Sequence, residues 1–310
     1  MGTSICVTGG AGFIGSHVAE ALLAAGHRVL ILDDLSTGRK EKVPDGAVLQ
    51  VVDIRQPEAA SLLRANDIEI LVHHAAQMDV RKSVDDPVFD ADVNLLGLLN
   101  LLEAARRGSV RQVVFASTGG AIYGEQDVHP ADESHPARPV SPYGVAKLAS
   151  ERYLYFYHHQ YGIDATCLRY ANVYGPRQNP HGEAGVVAIF MDRLLDGERP
   201  VINGDGKQTR DYVYVADVVR ANMAALGQPG FRIYNVGTGV ETDVNVLFAH
   251  IHRALGTGPT ASHGPAKPGE QERSSISADL LERELGVTIE TSLQRGIVET
   301  AEWFQAQHEA

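Results

Sequence analysis

Three observations predict an α/β chain, with a Rossmann-type doubly wound parallel sheet first and a smaller mixed α/β C-terminal lobe after it. Short β-branched runs alternate with helical stretches from residue 4 to about 170. The first run passes straight into a turn with Gly9, Gly12 and Gly15 and then into an amphipathic stretch. Beyond that region the rhythm gives way to long loops rich in Gly, Pro, Asn and charge, such as NVYGPRQNPHGEAG and SHGPAKPGEQERSS. These signals divide the chain into domains of 1–170 and 171–310, with later segments free to return to the main sheet.

The expected strands, in order, are SICVTG (4–9), RVLILD (28–33), AVLQVV (47–52), ILVHHA (70–75), QVVFAS (112–117) and ATCLRY (165–170). Between them VAEALLAAG (18–26) and VNLLGLLNLLEAARR (93–107) space their apolar residues for helices packed on a sheet. Right-handed crossovers then place any ligand at the C-terminal strand ends. Two adjacent glycines, Gly119 and Gly120, stand at one such end.

A chain of 310 residues can bury a substantial core, and 44% hydrophobic with 21% charged residues excludes disordered, coiled-coil and collagen-like classes. The net charge of −12 argues against nucleic acid or an anionic membrane as partner. No apolar run reaches about 18 residues and no N-terminal leader pattern is present, so the cytoplasm is the expected location. Cys6 and Cys167 lie in strand-like runs and are expected as reduced core thiols.

The run TGGAGFIGSHVAEALLAAGH spaces its glycines as G-x-x-G-x-x-G after a strand and before a helix. The first glycine permits the turn, the second lets backbone approach a pyrophosphate, and the third permits close helix packing. Asp33 follows at the end of the second strand, about 20 residues on, where a carboxylate accepts from a ribose and opposes a 2′-phosphate. NAD is therefore expected, and Arg39 and Lys40 leave NADP as the alternative. Asp53 stands ready for an adenine, and Ala75 and Ala76 allow close approach to a ribose. His73 and His74 are expected as packed or surface groups, and no His, Cys and carboxylate spacing suits a metal.

In VSPYGVAKLASERYLYFYHHQYG, Ser141 is a plausible N-cap and Pro142 suits the first helical position. Tyr143 and Lys147 then share a helix face. A cation beside a phenol favours the phenolate and makes it a usable base. Alone the pair is a common accident of helices; about 130 residues after a glycine-rich loop of this kind it is specific.

These segments, with LDDLSTG, HHAAQMDV, NLLGLLNLLEAA, LRYANVYGP, RDYVYVADV and YNVGTG, resemble the extended short-chain dehydrogenase/reductase family, in particular nucleotide-sugar 4-epimerases of the UDP-glucose (UDP-galactose) 4-epimerase type. The resemblance spans the whole chain. It implies tightly held NAD along Gly9, Gly12, Phe13, Ile14, Gly15, Asp33, Asp34, Asp53, Ile54, His74, Ala75, Ala76, Asn94, Ser117, Tyr143, Lys147 and Tyr170. It also implies that Tyr143 takes the sugar O4 proton and that Lys147 holds the nicotinamide ribose and lowers the tyrosine pKa. The UDP-sugar would meet Thr118, Gly119, Tyr143, Asn172, Val187, Val201, Ile202, Arg210, Lys267 and Glu270, with uracil and its ribose at 185–187 and 200–202. Arg210 would grip the diphosphate, or else serve only as a surface ion pair.

The chain departs from this family where most relatives carry Ser or Thr four residues before Tyr123: the position is Gly119. Strand alternation would point Thr118 the other way, but Gly119 and Gly120 are expected to adopt dihedrals that re-aim it, so that Thr118 joins Tyr143 and Lys147 as a catalytic residue and partly replaces the missing hydroxyl; a water is the other candidate. Gly120 and Ala121 stand where related 4,6-dehydratases carry an Asp-Glu pair, and the glutamate of related decarboxylases is missing, which disfavours both chemistries. Lys267 replaces the usual arginine before Pro-Gly-Glu and keeps a point charge without the fork. The small Ser274 would leave room for an N-acetylated sugar.

The expected activity is interconversion of UDP-glucose and UDP-galactose. The alternatives are epimerisation of UDP-glucuronate or UDP-N-acetylhexosamine, an NAD(P)-linked sugar-nucleotide reductase, and a non-catalytic NAD-binding protein. By the same resemblance the chain would form a homodimer through helices near 94–107 and 144–158, unless these are single-sided core helices.

Overall fold

In the computed structural model, which describes residues 2–180, 185–266 and 271–309, each of the six expected runs forms a strand: β1 (Ser4–Thr8), β2 (Arg28–Asp33), β3 (Val48–Val51), β4 (Ile70–His73), β5 (Gln112–Thr118) and β6 (Asp164–Tyr170). The chain adds β7 (Asn172–Tyr174), β8 (Val201–Asn203), β9 (Thr209–Tyr214), β10 (Phe231–Val236), β11 (Glu241–Asp243) and β12 (Ser262–Gly264). Seven of these make one sheet in the order β3-β2-β1-β4-β5-β6-β10. The pairs β1–β2, β1–β4, β2–β3 and β4–β5 are parallel. The order reverses between β1 and β4, which opens a crevice at their C-terminal ends.

Alternation along the strands sends side chains to both faces. Cys6, Leu30, Leu32, Leu71, Val113 and Phe115 join one cluster with the helices Pro57–Ala65, Gly97–Ala105 and Pro142–Tyr161. Leu98, Leu101 and Leu102 have no exposed surface, and each such burial contributes about 1.5–3 kcal/mol. The helix Phe13–Ala24 packs on β1 and β2. The run expected as one helix over 93–107 begins instead as a π turn, Asp92–Leu96, and continues as Gly97–Ala105. Gly97, the first residue of the α-helical part, lies tight against Ile54: a Cβ there would stand 2.7 Å from Ile54 Cδ1.

The chain forms two compact units, Met1–Ile122 with Pro139–Arg169 and Val219–Tyr234, and Tyr123–Arg138 with Tyr170–Val218 and Asn235–Ala310. A single cut near 170 does not describe them: 123–138 belongs to the second unit, and 219–234, with most of β10, returns to the first, as a later segment rejoining the main sheet. In the second unit β11, β9 and β7 form a mixed sheet and β12 pairs with β8. The helices Val186–Leu195, Val244–Leu255 and Leu293–His308 pack on one another there.

Candidate active site

The crevice edge of the first unit begins with the glycine turn. Gly9 has φ 69°, and a Cβ on it would stand 2.7 Å from the Ala75 nitrogen, so β1 and the segment after β4 approach closely only because it is glycine. A Cβ on Gly15 would overlap the Gly9 carbonyl oxygen. The helix Phe13–Ala24 starts at Gly12 with no side-chain cap and no acidic residue in its first turn. Its N–H groups and dipole thus favour an anion at this end.

At the end of β2, Asp33 is buried. Its Oδ2 accepts the Ala11 N–H and its Oδ1 the Leu35 N–H, each at 2.9 Å. Burial raises its pKa, and the two backbone donors oppose that rise. Lone pairs remain on both oxygens for a ribose hydroxyl. Asp34 is exposed and caps Ser36. Phe13 is buried and Ile14 half-buried at the start of the helix. A cradle that any Cβ would fill, an uncapped helix start and a carboxylate one strand away fit a dinucleotide.

Several residues expected at the cofactor have side chains committed elsewhere. Asp53 is held by Arg55, whose Nε donates to both carboxylate oxygens, at 3.0 and 2.9 Å; this bond is the main cause that lowers the Asp53 pKa. Arg55 Nη1 also reaches Asp92 at 2.7 Å. An adenine would therefore meet an ion-paired carboxylate. Ile54 is buried and its carbonyl accepts from Asn100. Asn94 accepts the Gln77 N–H at 2.9 Å and donates to the Gln77 carbonyl and to Asp90, so its amide braces the loop after β4. Ser117 donates to Glu151 at 2.6 Å within a buried ion pair. Sequence alone missed these anchors because side-chain pairing is not set by spacing: Arg55 lies two residues from Asp53, Asp90 four from Asn94, and Glu151 34 from Ser117.

The helix Pro142–Tyr161 carries the reactive pair. Ser141 caps it by accepting the Gly144 N–H at 3.2 Å, and Pro142 occupies its first turn. Gly144 lets the helix lie against the turn after β5, since a Cβ would stand 2.7 Å from the Ala121 carbonyl oxygen. Lys147 is buried; its Nζ donates to the Ala116 carbonyl at 2.8 Å and lies 4.7 Å from the Phe115 ring centre and 5.9 Å from that of Tyr143. Burial lowers its pKa to about 8, against the pull of Asp90, Glu151 and Cys167.

Tyr143 is half-buried, and burial, followed by the Asp90 charge, raises its pKa. The expected lowering by Lys147 is not what prevails in the protein alone: desolvation of the phenolate outweighs an ammonium at that distance. His74, the residue after β4, is held neutral, its pKa lowered to about 3 by burial and by Lys147. His73 bonds Thr8 Oγ1 through Nδ1 at 2.8 Å and stacks on Phe115. Ala75 and Ala76 are half-buried beside it. Among the described residues no group of His, Cys, Asp and Glu could hold a metal.

Gly119 and Gly120 behave differently from expectation. Residues Gly119–Ile122 form one helical turn directly after β5. Such dihedrals are open to any residue, so the glycines do not re-aim Thr118 through a glycine-only conformation. The strand pattern instead ends at Thr118 because the helical turn begins. Thr118 is half-buried, and among the described residues its hydroxyl has no hydrogen bond.

In the second unit, β7 and β9 bring Asn172 and Arg210 into one sheet; Asn172 Nδ2 donates to the Asp211 carbonyl at 3.3 Å. Arg210 Nη1 donates to the Thr209 carbonyl at 2.7 Å. Asp211 is buried and accepts from Thr238 and from the Gly239 and Ile276 N–H groups, which fixes the register of β9. The Tyr170 ring is buried at the end of β6. Val187 and Ile202 are each 2% exposed and belong to the core, so only their backbone could meet a ligand; Val201 is exposed. Ser274 is also buried. Lys267 and Glu270 lie outside the described residues.

A parallel sheet with a glycine cradle at its switch point and a Tyr-Lys pair on a neighbouring helix defines a dinucleotide-using α/β protein of the reductase and epimerase kind. The model of the NAD dependent epimerase/dehydratase family matches residues 5–237, and the chain belongs to that family. It is 45% identical to the UDP-glucose 4-epimerase of Mycolicibacterium smegmatis, over 96% of this chain and 97% of that one. Among solved structures, the UDP-glucose 4-epimerase of Thermotoga maritima with UDP-glucose superposes with a TM-score of 0.96, at 43% identity over 98% of this chain and 99% of that one. The Thermus thermophilus UDP-glucose 4-epimerase in complex with NAD gives 0.93, at 46% identity over the same shares.

Proposed function

We propose that the chain is an NAD-dependent UDP-sugar 4-epimerase that interconverts UDP-glucose and UDP-galactose. The observation that carries this reading is the Tyr143–Lys147 pair on the helix beside the β5 end, in a chain similar to UDP-glucose 4-epimerases over nearly its full length. The glycine turn and helix start hold the cofactor pyrophosphate, and Asp33 takes a ribose hydroxyl. When bound, NAD supplies the hydride acceptor and donor for oxidation and re-reduction at sugar C4. Tyr143 removes and returns the O4 proton, and Lys147 contributes a positive charge that favours the phenolate. In the second unit Arg210 is assigned to the diphosphate and Asn172 to the sugar nucleotide.

Incubation with UDP-galactose should yield UDP-glucose by proton NMR without added reductant. No conversion of any UDP-hexose by NAD-loaded protein would make it a binding protein only, and a need for stoichiometric NAD(P)H would make it a reductase. UDP-glucuronate and UDP-N-acetylglucosamine, run in parallel, define the sugar.

Thr118 is assigned as a hydrogen-bond relay to O4, which its uncommitted hydroxyl supports. Thr118→Val should lower turnover by about 10- to 100-fold, the loss of one hydrogen bond to a charged group, with NAD content and stability unchanged. Unaltered turnover would hand the role to water or to Tyr143 directly.

A homodimer is supported by apolar surface on the two helical regions named above: Leu96 is 55%, Tyr153 40% and Phe156 46% exposed. Sedimentation equilibrium should give twice the chain mass; a single-chain mass overturns it. No described helix is long and apolar enough to cross a membrane. Both cysteines are buried and free, which supports the cytoplasm as location; recovery of the protein outside that fraction would refute it.

A further inference from the structure

Two buried groups of opposite charge in the first unit have no ion-pair partner among the described residues. One is Lys147, 3% exposed, whose Nζ is bonded to a carbonyl. The other is Asp90, with no exposed surface, on the short helix Pro87–Ala91 that packs against Pro142–Tyr161. Asp90 Oδ1 accepts from Gln77 Nε2 at 3.0 Å and Asn94 Nδ2 at 2.9 Å, both neutral amides. Its Oδ2 has no donor among the described residues. A lone buried charge is costly, and two of opposite sign on packed helices relieve each other over a longer range than a salt bridge.

The other carboxylate near Lys147 cannot serve. Glu151 is spent on Arg169 at 2.9 and 2.7 Å and on Ser117, a locally neutral group. The remaining groups around Lys147 are His73 at the end of β4 and His74 after it, Cys167 from β6, and Tyr143 on its own helix. Arg81, Lys82 and Asp85 on the adjoining helix Val80–Asp85 are exposed, and Asp92 is bound to Arg55.

We propose that Asp90 is a positioning residue of the site, the buried counter-charge that keeps Lys147 an ammonium and strengthens Tyr143 as a base. The sign follows from charge alone. A carboxylate favours the ammonium and opposes the phenolate, so it raises both proton affinities, in line with its direction of action on each group. A phenolate with higher proton affinity is the stronger base when formed. The assignment of roles rests on the epimerase reading, but protonation of Lys147 can be measured whether or not that reading stands.

The test is Asp90→Asn, which keeps the shape and the Oδ1 acceptor for Gln77 and Asn94. Lysine labelled with ¹³C at Cε is followed by NMR against pH, the Lys147 signal being assigned by its loss in Lys147→Arg. Its midpoint should fall by about one pH unit in Asp90→Asn, the scale of one nearby charge at intermediate dielectric. Asp92→Asn should leave it in place. The acid limb of turnover with UDP-galactose should move to lower pH in the same variant. Should Asp90→Asn not fold, Lys147→Met with ¹³Cγ-labelled aspartate gives the reciprocal reading: the Asp90 midpoint should rise. An unmoved Lys147 midpoint in folded Asp90→Asn, or an unmoved Asp90 midpoint in Lys147→Met, overturns the proposal.

Discussion

Tyr143→Phe should lower the turnover of UDP-galactose by about 10²- to 10⁴-fold, the range of a lost general base, while NAD content stays at the wild-type level. Among the described residues the Tyr143 hydroxyl takes part in no hydrogen bond, so its removal orphans no partner and leaves packing intact. The loss should therefore appear in kcat, with KM nearly constant, as for a group that acts mainly in the transition state. Burial makes the effect large: raising a phenol's pKa leaves few ionised molecules at neutral pH, but each is a strong base. His74 is close in sequence to the ribose segment yet is kept neutral with a pKa near 3, too weak a base to accept the O4 proton. A variant that keeps more than a tenth of wild-type turnover with full NAD content would place the base elsewhere.

The strands, the glycine cradle and the Tyr-Lys helix were legible because each is set by local pattern: period-2 runs, fixed glycine spacing, and residues four apart on a capped helix. Asp33 was legible for the same reason, as the acidic end of a strand at a fixed distance. What could not be read were side-chain partnerships, whether near or far along the chain. Asp53 looked free for a base until Arg55, two residues on, folded back onto it. The resemblance placed Ser117 along the cofactor, but nothing in its own strand showed that its hydroxyl donates to Glu151, 34 residues away. The glycines at 119 and 120 suggested an unusual backbone; the chain simply turns into a helix there. A signal for Glu151 was present and unused, since Tyr143, Lys147 and Glu151 recur every four residues along one helix face. Asp90 and Asn94, also four apart, carried a similar hint.

Arg169→Met should lower the stability of the first unit by about 3–5 kcal/mol, the cost of leaving a buried carboxylate without its cation. Arg169 and Glu151 have side chains only 4% and 1% exposed, and the guanidinium grips both carboxylate oxygens while Ser117 donates to one of them. The pair joins β6, the reactive helix and the end of β5, and these are the elements that set where Lys147 and Thr118 stand. The charged pair itself need not stabilise the fold, because its desolvation offsets most of its attraction. The double variant Glu151→Met with Arg169→Met should therefore recover much of what Arg169→Met loses, although Ser117 then lacks its acceptor. Urea titration reads this as a large drop in midpoint for the single variant and a smaller one for the double, at similar slope. If the double variant is as unstable as the single, the cost lies in lost packing of the long arginine side chain rather than in the stranded charge. If the single variant loses less than about 1 kcal/mol, water reaches Glu151 and the pair is not a dry anchor.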